Sequence, residues 1–407
     1  MSLNHSPSII TNGLTFCYDQ QNVKSYCGPV MQNLANQISI LGTGTGTGYS
    51  STAITETVDI PQLGLTTVYS NVIQNNYTSY SPNSGDCCPS LQGWGSFVVS
   101  PSTLYTYAIV YRCDSGYTNP NYMYRYEFTS NGGSYVTEGG VHDASNRVHL
   151  GGEWYYAWGT FTTQATTNWI GHAGTFYYRY FNLADKLSIA KVMIVAGNYS
   201  DLHPKYWPNQ VTTRSNTQAI LDLTNNSTIT ASSLTYASDG TFRFGGSGQR
   251  LDTSLTTFGN NATWEAWIKG TSDVSTYNMF MGRYLPYFGF YGANSLYFSN
   301  IIGGAQQTIQ TATNLTTNTW YHAVFTTSYN GTNTTMKIYT NGIETASGTF
   351  SGAQGLDGAY NFAIGDGYNA SWYRFDGRVE SAKVYNRTLS ATEVQQNFNA
   401  LRSRYGI

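Results

Sequence analysis

The strongest constraint on the fold lies between position 320 and the C-terminus, where strand patterns alternate with turn residues. Residues 320–325 read WYHAVF, an alternation that predicts a strand of a sandwich. Residues 336–340 predict a second strand, and Asn341-Gly342 offers a tight hairpin turn because both residues tolerate positive φ. Residues 382–384 alternate again and predict a further, half-buried strand.

One short helix is predicted at the end of this segment, over residues 390–404. Ser390 and Glu393 have the spacing of a capping box, which marks a helix start. The residues that recur at helical spacing are Val394, Asn397, Phe398 and Leu401. Arg404 suits the negative end of the helix dipole, and Gly406 ends the helix.

These residues resemble the laminin-G-like, concanavalin A-like jelly roll. The ending YNRTLSATEVQQNFNALRSRYGI is especially similar to the single-domain versions found in bacteriophage virion proteins. The resemblance implies a β-sandwich that is sealed by the terminal helix.

Composition favours the same fold class. Only 10% of the residues are charged, against about a quarter in a typical globular domain, while the chain has 35 Tyr and 42 Gly. Such a chain forms sheets and polar loops. We therefore predict an all-β protein with two jelly-roll β-sandwich domains, the second closed by a short C-terminal helix.

Charge and hydropathy exclude two classes of partner. The net charge is -2 and there is no basic run, so we expect no nucleic-acid binding. No apolar stretch approaches the length of a membrane span, so we expect no membrane insertion. The N-terminus, MSLNHSPSIITNGLTF, lacks the features of a signal peptide. These features fit a virion protein that is assembled in the host cytoplasm.

The cysteines do not predict a metal site. Their spacing matches no zinc pattern in the set Cys17, Cys27, Cys87, Cys88 and Cys113. We interpret them as buried or idle thiols. A Cys17–Cys27 disulfide is the alternative, which cytosolic assembly disfavours.

The order of motifs predicts that one domain is inserted into the other. Residues 13–28 resemble the opening strand of the laminin-G-like family, and the segments that normally follow within a few residues appear only as DLTNN at 222–226 and FRFGG at 242–246. The stretch between residue 28 and residue 222 is too long to be a simple loop. We predict an outer domain of residues 1–30 plus 212–407 and an inserted domain of residues 31–211.

The predicted insert has strand patterns of its own. Apolar and aromatic residues alternate over 105–111 and 154–158, and residues 189–195 form an apolar run. Residues 154–163 and 191–194 resemble two strands of carbohydrate-binding-module jelly rolls. The resemblance implies a second jelly roll.

Catalytic signatures are missing from the sequence, and we predict that the protein is not an enzyme. Glucanases of this fold need two carboxylates on one strand face. Glu265 has no acidic residue two positions on, and Asp376 and Glu380 are too far apart along a strand. There is no G-x-S-x-G motif, and His142 and His149 are weak evidence for a metal.

Binding is better supported, because sugar sites combine aromatic rings with planar polar groups. The loop GDGYNASWYRFDG offers, as the predicted ligand-binding residues, Asp366, Tyr368, Asn369, Trp372 and Tyr373. A second loop, RYLPYFGFYG, offers Tyr284, Tyr287 and Tyr291. Trp94 and Tyr122 are weaker candidates.

No cofactor is required by the sequence, although both resembled classes often hold a structural calcium. Aspartates that lie in glycine-rich loops are Asp19, Asp239, Asp357, Asp366 and Asp376. None has EF-hand spacing, so calcium stays open and we assign no ligand.

The leading hypothesis is a non-enzymatic bacteriophage structural protein, a capsid decoration, fibre or tail component with lectin-like domains. Its partners would be other virion proteins and host surface glycans. A homotrimer is open, although no heptad or collagen repeat is present to drive one. The alternatives are a purely structural cement protein, a secreted or cell-surface glycan-binding adhesin and a glycoside hydrolase.

Overall fold

The computed structural model describes most of the chain, in the residue ranges 8–34, 39–40, 51–73, 91–92, 97–113, 125–130, 135–140, 146–166, 169–172, 186–208, 213–246, 248–271, 278–282, 284–292, 295–312, 315–355, 360–366 and 375–407. In these ranges the regular elements are almost all strands. One α-helix follows the last strand, and there are two short 3-10 turns. The predicted all-β fold class of jelly-roll sandwiches with a short C-terminal helix is confirmed.

The strands of the first half of the chain are β1 (Leu14–Asp19), β2 (Met31–Gln32), β3 (Ser39–Ile40), β4 (Ser51–Ile60), β5 (Gly64–Ile73), β6 (Leu91–Gln92), β7 (Phe97–Val98), β8 (Leu104–Cys113), β9 (Arg125–Ser130), β10 (Tyr135–Gly140), β11 (Arg147–Gly151), β12 (Trp154–Thr162), β13 (Trp169–His172), β14 (Lys186–Ala196) and β15 (Thr213–Arg214). The strands of the second half are β16 (Ile229–Ser232), β17 (Thr235–Tyr236), β18 (Phe242–Gly245), β19 (Arg250–Thr253), β20 (Ala262–Gly270), β21 (Asn278–Gly282), β22 (Tyr287–Tyr291), β23 (Ser295–Ile302), β24 (Ala305–Gln310), β25 (Tyr321–Tyr329), β26 (Asn333–Thr340), β27 (Ile343–Ser351), β28 (Gln354–Gly355), β29 (Ala363–Ile364) and β30 (Asp376–Tyr385). The helix α1 spans Ala391–Leu401, and 3-10 turns span Pro204–Tyr206 and Arg402–Tyr405.

The chain divides into two compact units. Unit 1 comprises Met1–Gly28, Ser215–Tyr236 and Thr241–Ile407. Unit 2 comprises Pro29–Arg214 and Ala237–Gly240. Unit 1 is therefore built from both ends of the chain.

Within each unit, the segments where the chain leaves and returns lie side by side. In unit 1, Tyr26 forms an antiparallel bridge with Ile220. In unit 2, β2 pairs with β15. Adjacent entry and exit points are what an inserted domain requires. That residues 31–211 form an independently folding domain within residues 1–30 plus 212–407 stays a prediction.

Unit 1 is a sandwich of two antiparallel sheets. Its first sheet has the order β17-β18-β30-β20-β25-β26-β27, with β1 also paired to β30, and its second sheet has the order β16-β19-β29-β21-β22-β23-β24, with β28 paired to β23. Aromatic rings from the two sheets contact each other in the core, where the ring centroids of Trp264 and Phe288 are 5.1 Å apart. Phe280 and Phe325 make a similar contact at 6.0 Å between ring centroids.

The opening strand β1 belongs to the first sheet, although it is far from β30 in sequence. Cys17 pairs with Lys383 in this antiparallel ladder. The DLTNN segment secures the strand, because Asp222 Oδ1 accepts the Cys17 N–H at 2.8 Å and Oδ2 accepts those of Asn226 and Ser227 at 3.1 and 3.0 Å. Several donors on one buried carboxylate replace its lost water.

The C-terminal elements follow the sequence closely. Asn341 and Gly342 have φ of 51° and 82°, as a type I′ hairpin turn requires. The capping box between Ser390 and Glu393 is present. The helix stops at Leu401, and the last turn tightens into a 3-10 turn that ends at Gly406 with φ of 72°. The predicted helix end at residue 404 is therefore too late for the α-helix.

Unit 2 contains a sheet of order β11-β12-β8-β14-β5-β4 and a second sheet of order β10-β9-β13-β7. The strands predicted around residues 105–111, 154–158 and 189–195 are β8, β12 and β14. Its core includes Trp154, Met193 and Trp207, all nearly inaccessible to solvent.

Cys17 and Cys27, whose side chains the structure describes, are thiols that form no disulfide with each other. Cys17 is buried and Cys27 is partly exposed. Burial raises the pKa of Cys17 to about 11, so this thiol stays protonated. Cys87 and Cys88 lie outside the described residues.

Candidate functional site

The predicted ligand-binding loop is described only at its start. Asp366 follows β29 and is 4% exposed. Tyr368, Asn369, Trp372 and Tyr373 lie outside the described residues, as do Trp94 and Tyr122. A ligand site on that loop therefore stays a prediction.

The second predicted loop forms part of a group of tyrosines on unit 1, here named the tyrosine cluster: Tyr284, Tyr287, Tyr291, Tyr297 and Tyr360. Tyr287 stacks on Tyr297 with ring centroids 6.0 Å apart, and Tyr291 meets Tyr297 edge-on at 5.3 Å. Tyr284 stacks on Tyr360 at 5.7 Å with an interplanar angle of 26°. The structure thus brings together the three tyrosines that the sequence singled out.

Strand alternation places the cluster on the outward face of the second sheet. Phe288 and Phe290 point into the sandwich, so Tyr287 and Tyr291, which alternate with them on β22, point away from it. Gly289 lies between these two tyrosines and opposite Tyr297. A Cβ at this position would lie 2.4 Å from the Met279 sulfur, so the glycine makes room for that side chain.

Polar side chains of β24 border the cluster. The Gln306 amide donates to the Tyr287 hydroxyl at 3.2 Å and to Ser299 Oγ at 2.9 Å. The Gln310 amide donates to the Tyr291 carbonyl oxygen at 2.9 Å. Gln306, Thr308 and Gln310 are all exposed. The face therefore combines aromatic rings with amide and hydroxyl groups.

Exposure divides the cluster into a base and a rim. Tyr287 and Tyr297 are each only 7% exposed, whereas Tyr360 is 39% exposed and Tyr284 is half-buried. The rim that a ligand can contact is therefore the Tyr284–Tyr360 pair together with Tyr291, which is also half-buried. Sequence reasoning missed Tyr297, which the alternation of β23 could have indicated, and Tyr360, for which no local signal exists.

Glu265, one of the carboxylates considered for catalysis, is fully buried between the first sheet and α1. Its oxygens accept hydrogen bonds from Lys383 at 2.7 Å and from Asn397 at 2.6 Å, and His322 Nε2 lies 3.3 Å away. Burial alone would raise its pKa, but the Lys383 ammonium outweighs this and the pKa of Glu265 lies far below its usual range. Glu265 is a paired, structural anion.

The other carboxylates also have protein partners. Burial raises the pKa of Glu380, which accepts from Gln21 at 3.3 Å. Asp376 accepts from Thr271 at 2.8 Å, and Asp19 accepts from Arg404 at 2.9 Å. Both aspartates therefore link separate segments of unit 1 through their side chains.

The described residue ranges hold neither a cluster of metal ligands nor a membrane-spanning helix. They contain no group of three or more His, Cys, Asp or Glu side chains that could hold a metal ion. His142 and Asp357 lie outside these ranges. Across the same residues, no helix has the length and apolar character of a membrane span.

Solved structures similar to this chain include domain 4 of a GH43 extracellular arabinanase from Geobacillus stearothermophilus in complex with arabinotriose, at 20% identity and a TM-score of 0.35 over 45% of this chain and 92% of that domain. The Ruminococcus gnavus IT-sialidase CBM40 bound to α2,3-sialyllactose aligns at 16% identity and a TM-score of 0.29, over 34% of this chain and 82% of its own. The botulinum neurotoxin serotype D binding domain aligns at 14% identity and a TM-score of 0.35, over 46% of this chain and only 49% of that one.

The sequence similarity is confined to one part of unit 1. No curated protein matches the chain. Residues 244–395, which lie within unit 1 and make up less than half of the chain, match the Laminin_G_3 family model, described as the concanavalin A-like lectin/glucanases superfamily.

Proposed function

We propose that the protein is a non-enzymatic glycan-binding protein and that the tyrosine cluster is its binding face. The observation that carries this proposal is the stacked Tyr284–Tyr360 pair at the rim of a sheet face, with Tyr360 39% exposed. Aromatic rings bind the C–H faces of sugars, and a preformed stack loses little conformational entropy on binding.

The neighbouring polar groups fit the same ligand class. The exposed side chains of Gln306, Thr308 and Gln310 leave two amide oxygens as acceptors and one hydroxyl as donor or acceptor for sugar hydroxyls, since the amide N–H groups of both glutamines already donate within unit 1. Gln306 is oriented by its bonds to Tyr287 and Ser299, so its amide is held beside the rings. Small-ligand sites typically combine an aromatic surface with a small number of polar groups.

Absence of catalysis is part of the proposal. Glu265, the carboxylate buried deepest in the first sheet, is already bonded to Lys383 and Asn397, so it is not available to a glycosidic bond. Incubation with host polysaccharide and assay of reducing-sugar release tests this point. Release above that of a heat-denatured sample would contradict it.

The glycan-binding proposal is tested by screening the purified chain on a glycan array and titrating the best ligand. We expect Tyr360→Ala and Tyr284→Ala each to weaken binding about tenfold, because each removes half of the stacked pair. Tyr329→Ala is the matched control, since Tyr329 lies on β25 of the other sheet. A lack of signal above denatured protein, or an equal loss in the control, would overturn the proposal.

We further propose that the protein works in a bacteriophage particle, as a capsid decoration, fibre or tail component. Support comes from the resemblance of residues 385–407 to the ending of virion jelly rolls. The alternative is a secreted or cell-surface adhesin. Mass spectrometry of intact particles distinguishes them: the chain is expected in the particle, and its absence would defeat the particle role while leaving glycan binding untouched.

A further inference from the structure

A cavity of about 500 Å³ lies in unit 2 beside β5 and β14. Its walls are mostly apolar or hydroxyl-bearing, and one cationic side chain reaches it. The residues that line it are Leu63, Leu65, Thr66, Thr67, Tyr69, Ala190, Lys191, Val192 and Pro208. Leu65 is 79% exposed at the start of β5, so its side chain is accessible from solvent.

Lys191 is the cation of this cavity. Its Nζ donates to the carbonyl oxygen of Pro204 at 2.9 Å, which uses one of its three N–H donors. Within the described part of the chain, Lys191 forms no ion pair with a carboxylate. A partly buried ammonium without an anionic partner is unfavourable, so it needs a specific explanation.

Neighbouring positive charge makes the partly buried Lys191 ammonium still less favourable. Burial, followed by repulsion from Arg214, lowers the pKa of Lys191 to about 8. His203 lies nearby, and burial with the charges of Lys205 and Lys191 lowers the pKa of His203 to about 4, so it is neutral at pH 7. Among the described residues, the charged group that acts on Lys191 is thus the cationic Arg214, and an incoming anion would find positive charge there.

We propose that this cavity binds an acidic sugar residue, with its carboxylate on the Lys191 ammonium. Tyr69 and the leucines offer apolar surface to the C–H face of the ring, while Thr66 and Thr67 offer hydroxyls. The site lies in unit 2 and uses a charge, so it goes beyond the neutral aromatic face of unit 1. It rests on its own residues and does not depend on the tyrosine cluster.

The test is calorimetric titration of the full chain with a glucuronate oligosaccharide and with its neutral glucose counterpart. We expect the acidic oligosaccharide to bind at least tenfold more tightly. Lys191→Met should abolish that preference, whereas Lys24→Met should change affinity less than twofold, because Lys24 belongs to unit 1 and does not line the cavity. Tyr360→Ala separates this site from the tyrosine cluster and should leave the acidic preference intact.

A second measurement uses the wild-type chain and so does not depend on how a variant folds. NMR titration of the Lys191 amine follows its pKa with and without saturating acidic oligosaccharide. We expect the pKa to rise on binding, because a carboxylate partner favours the charged amine. Equal binding of the acidic and neutral oligosaccharides, or a Lys191 signal that does not respond to the acidic one, would overturn the proposal.

Discussion

The Asn397 amide of α1 donates to Oε2 of Glu265, in the middle of the first sheet, at 2.6 Å. The same side chain accepts the Ile10 N–H through Oδ1 at 2.7 Å. One asparagine therefore joins the N-terminal segment, a central strand and the C-terminal helix. This explains how a unit assembled from both ends of the chain is held closed, because the Glu265 and Asn397 side chains are buried and each needs its partner.

Replacing Asn397 with alanine should destabilise the protein strongly. The change removes a donor to the buried Glu265 carboxylate and to the Tyr385 hydroxyl, and it removes the acceptor for Ile10. We expect a loss of about 2–3 kcal/mol in the free energy of unfolding, measured by urea denaturation. Asn399→Ala, on the exposed side of the same helix, is the control and should cost under about 0.5 kcal/mol. Similar losses in the two variants would contradict the role of Asn397.

Acid should remove the contribution of the helix cap. The Arg387 guanidinium, with help from Ser390, lowers the pKa of Glu393 from 4.5 to about 2. Because the folded-state pKa is the lower one, the stabilisation is complete above pH 4.5 and is lost as the pH falls towards 2. Wild type should exceed Glu393→Gln in stability by about 1 kcal/mol at pH 7, and the difference should vanish near pH 2. Melting temperatures at several pH values measure this, and a pH-independent difference would count against it.

Gly289→Ala should disturb the tyrosine cluster, because Gly289 lies on β22 between Tyr287 and Tyr291. The added Cβ would lie 2.4 Å from the Met279 sulfur and 2.6 Å from the Asn278 carbonyl oxygen, so β21 and β22 must move apart. We expect a loss of about 1–3 kcal/mol in stability and weaker glycan binding. Gly259→Ala is the matched control, since its nearest contact would be an ordinary 3.6 Å. Unchanged melting temperature and affinity in Gly289→Ala would show that the position is not constrained.

Removing residues 1–30 should leave unit 1 incomplete. The deletion takes away β1, so the 381–385 edge of β30 loses its partner strand, and unpaired edges promote aggregation. We expect residues 212–407 alone to aggregate and residues 29–214, which keep the β2–β15 pair, to fold. Size-exclusion chromatography and circular dichroism check both. A soluble, monodisperse 212–407 fragment would show that β1 is dispensable.

Prediction from the sequence succeeded where the cause is local. The Asn341-Gly342 turn depends on the dihedral preferences of two adjacent residues, and the capping box depends on Ser390 and Glu393 three positions apart. The structure pairs the opening strand β1 with β30, while the bounds of the two predicted domains stay a prediction. The α-helix end was misjudged because the last turn tightens into a 3-10 turn, which the pattern of residues does not distinguish.

The candidate sites depended on contacts that no local pattern encodes. Tyr284 and Tyr360 are far apart in sequence and stack only because the sheet order places their segments together. In the sequence Lys191 is one polar position in an apolar strand, and only the packing of β14 shows that its ammonium donates to the Pro204 carbonyl oxygen and, among the described residues, to no carboxylate. By itself the sequence determined the all-β sandwich, its turns and its terminal cap, because backbone preferences and periodicity act over a few residues. The tertiary structure alone decided which rings and charges meet, because strand pairing brings together residues that sequence spacing leaves unrelated.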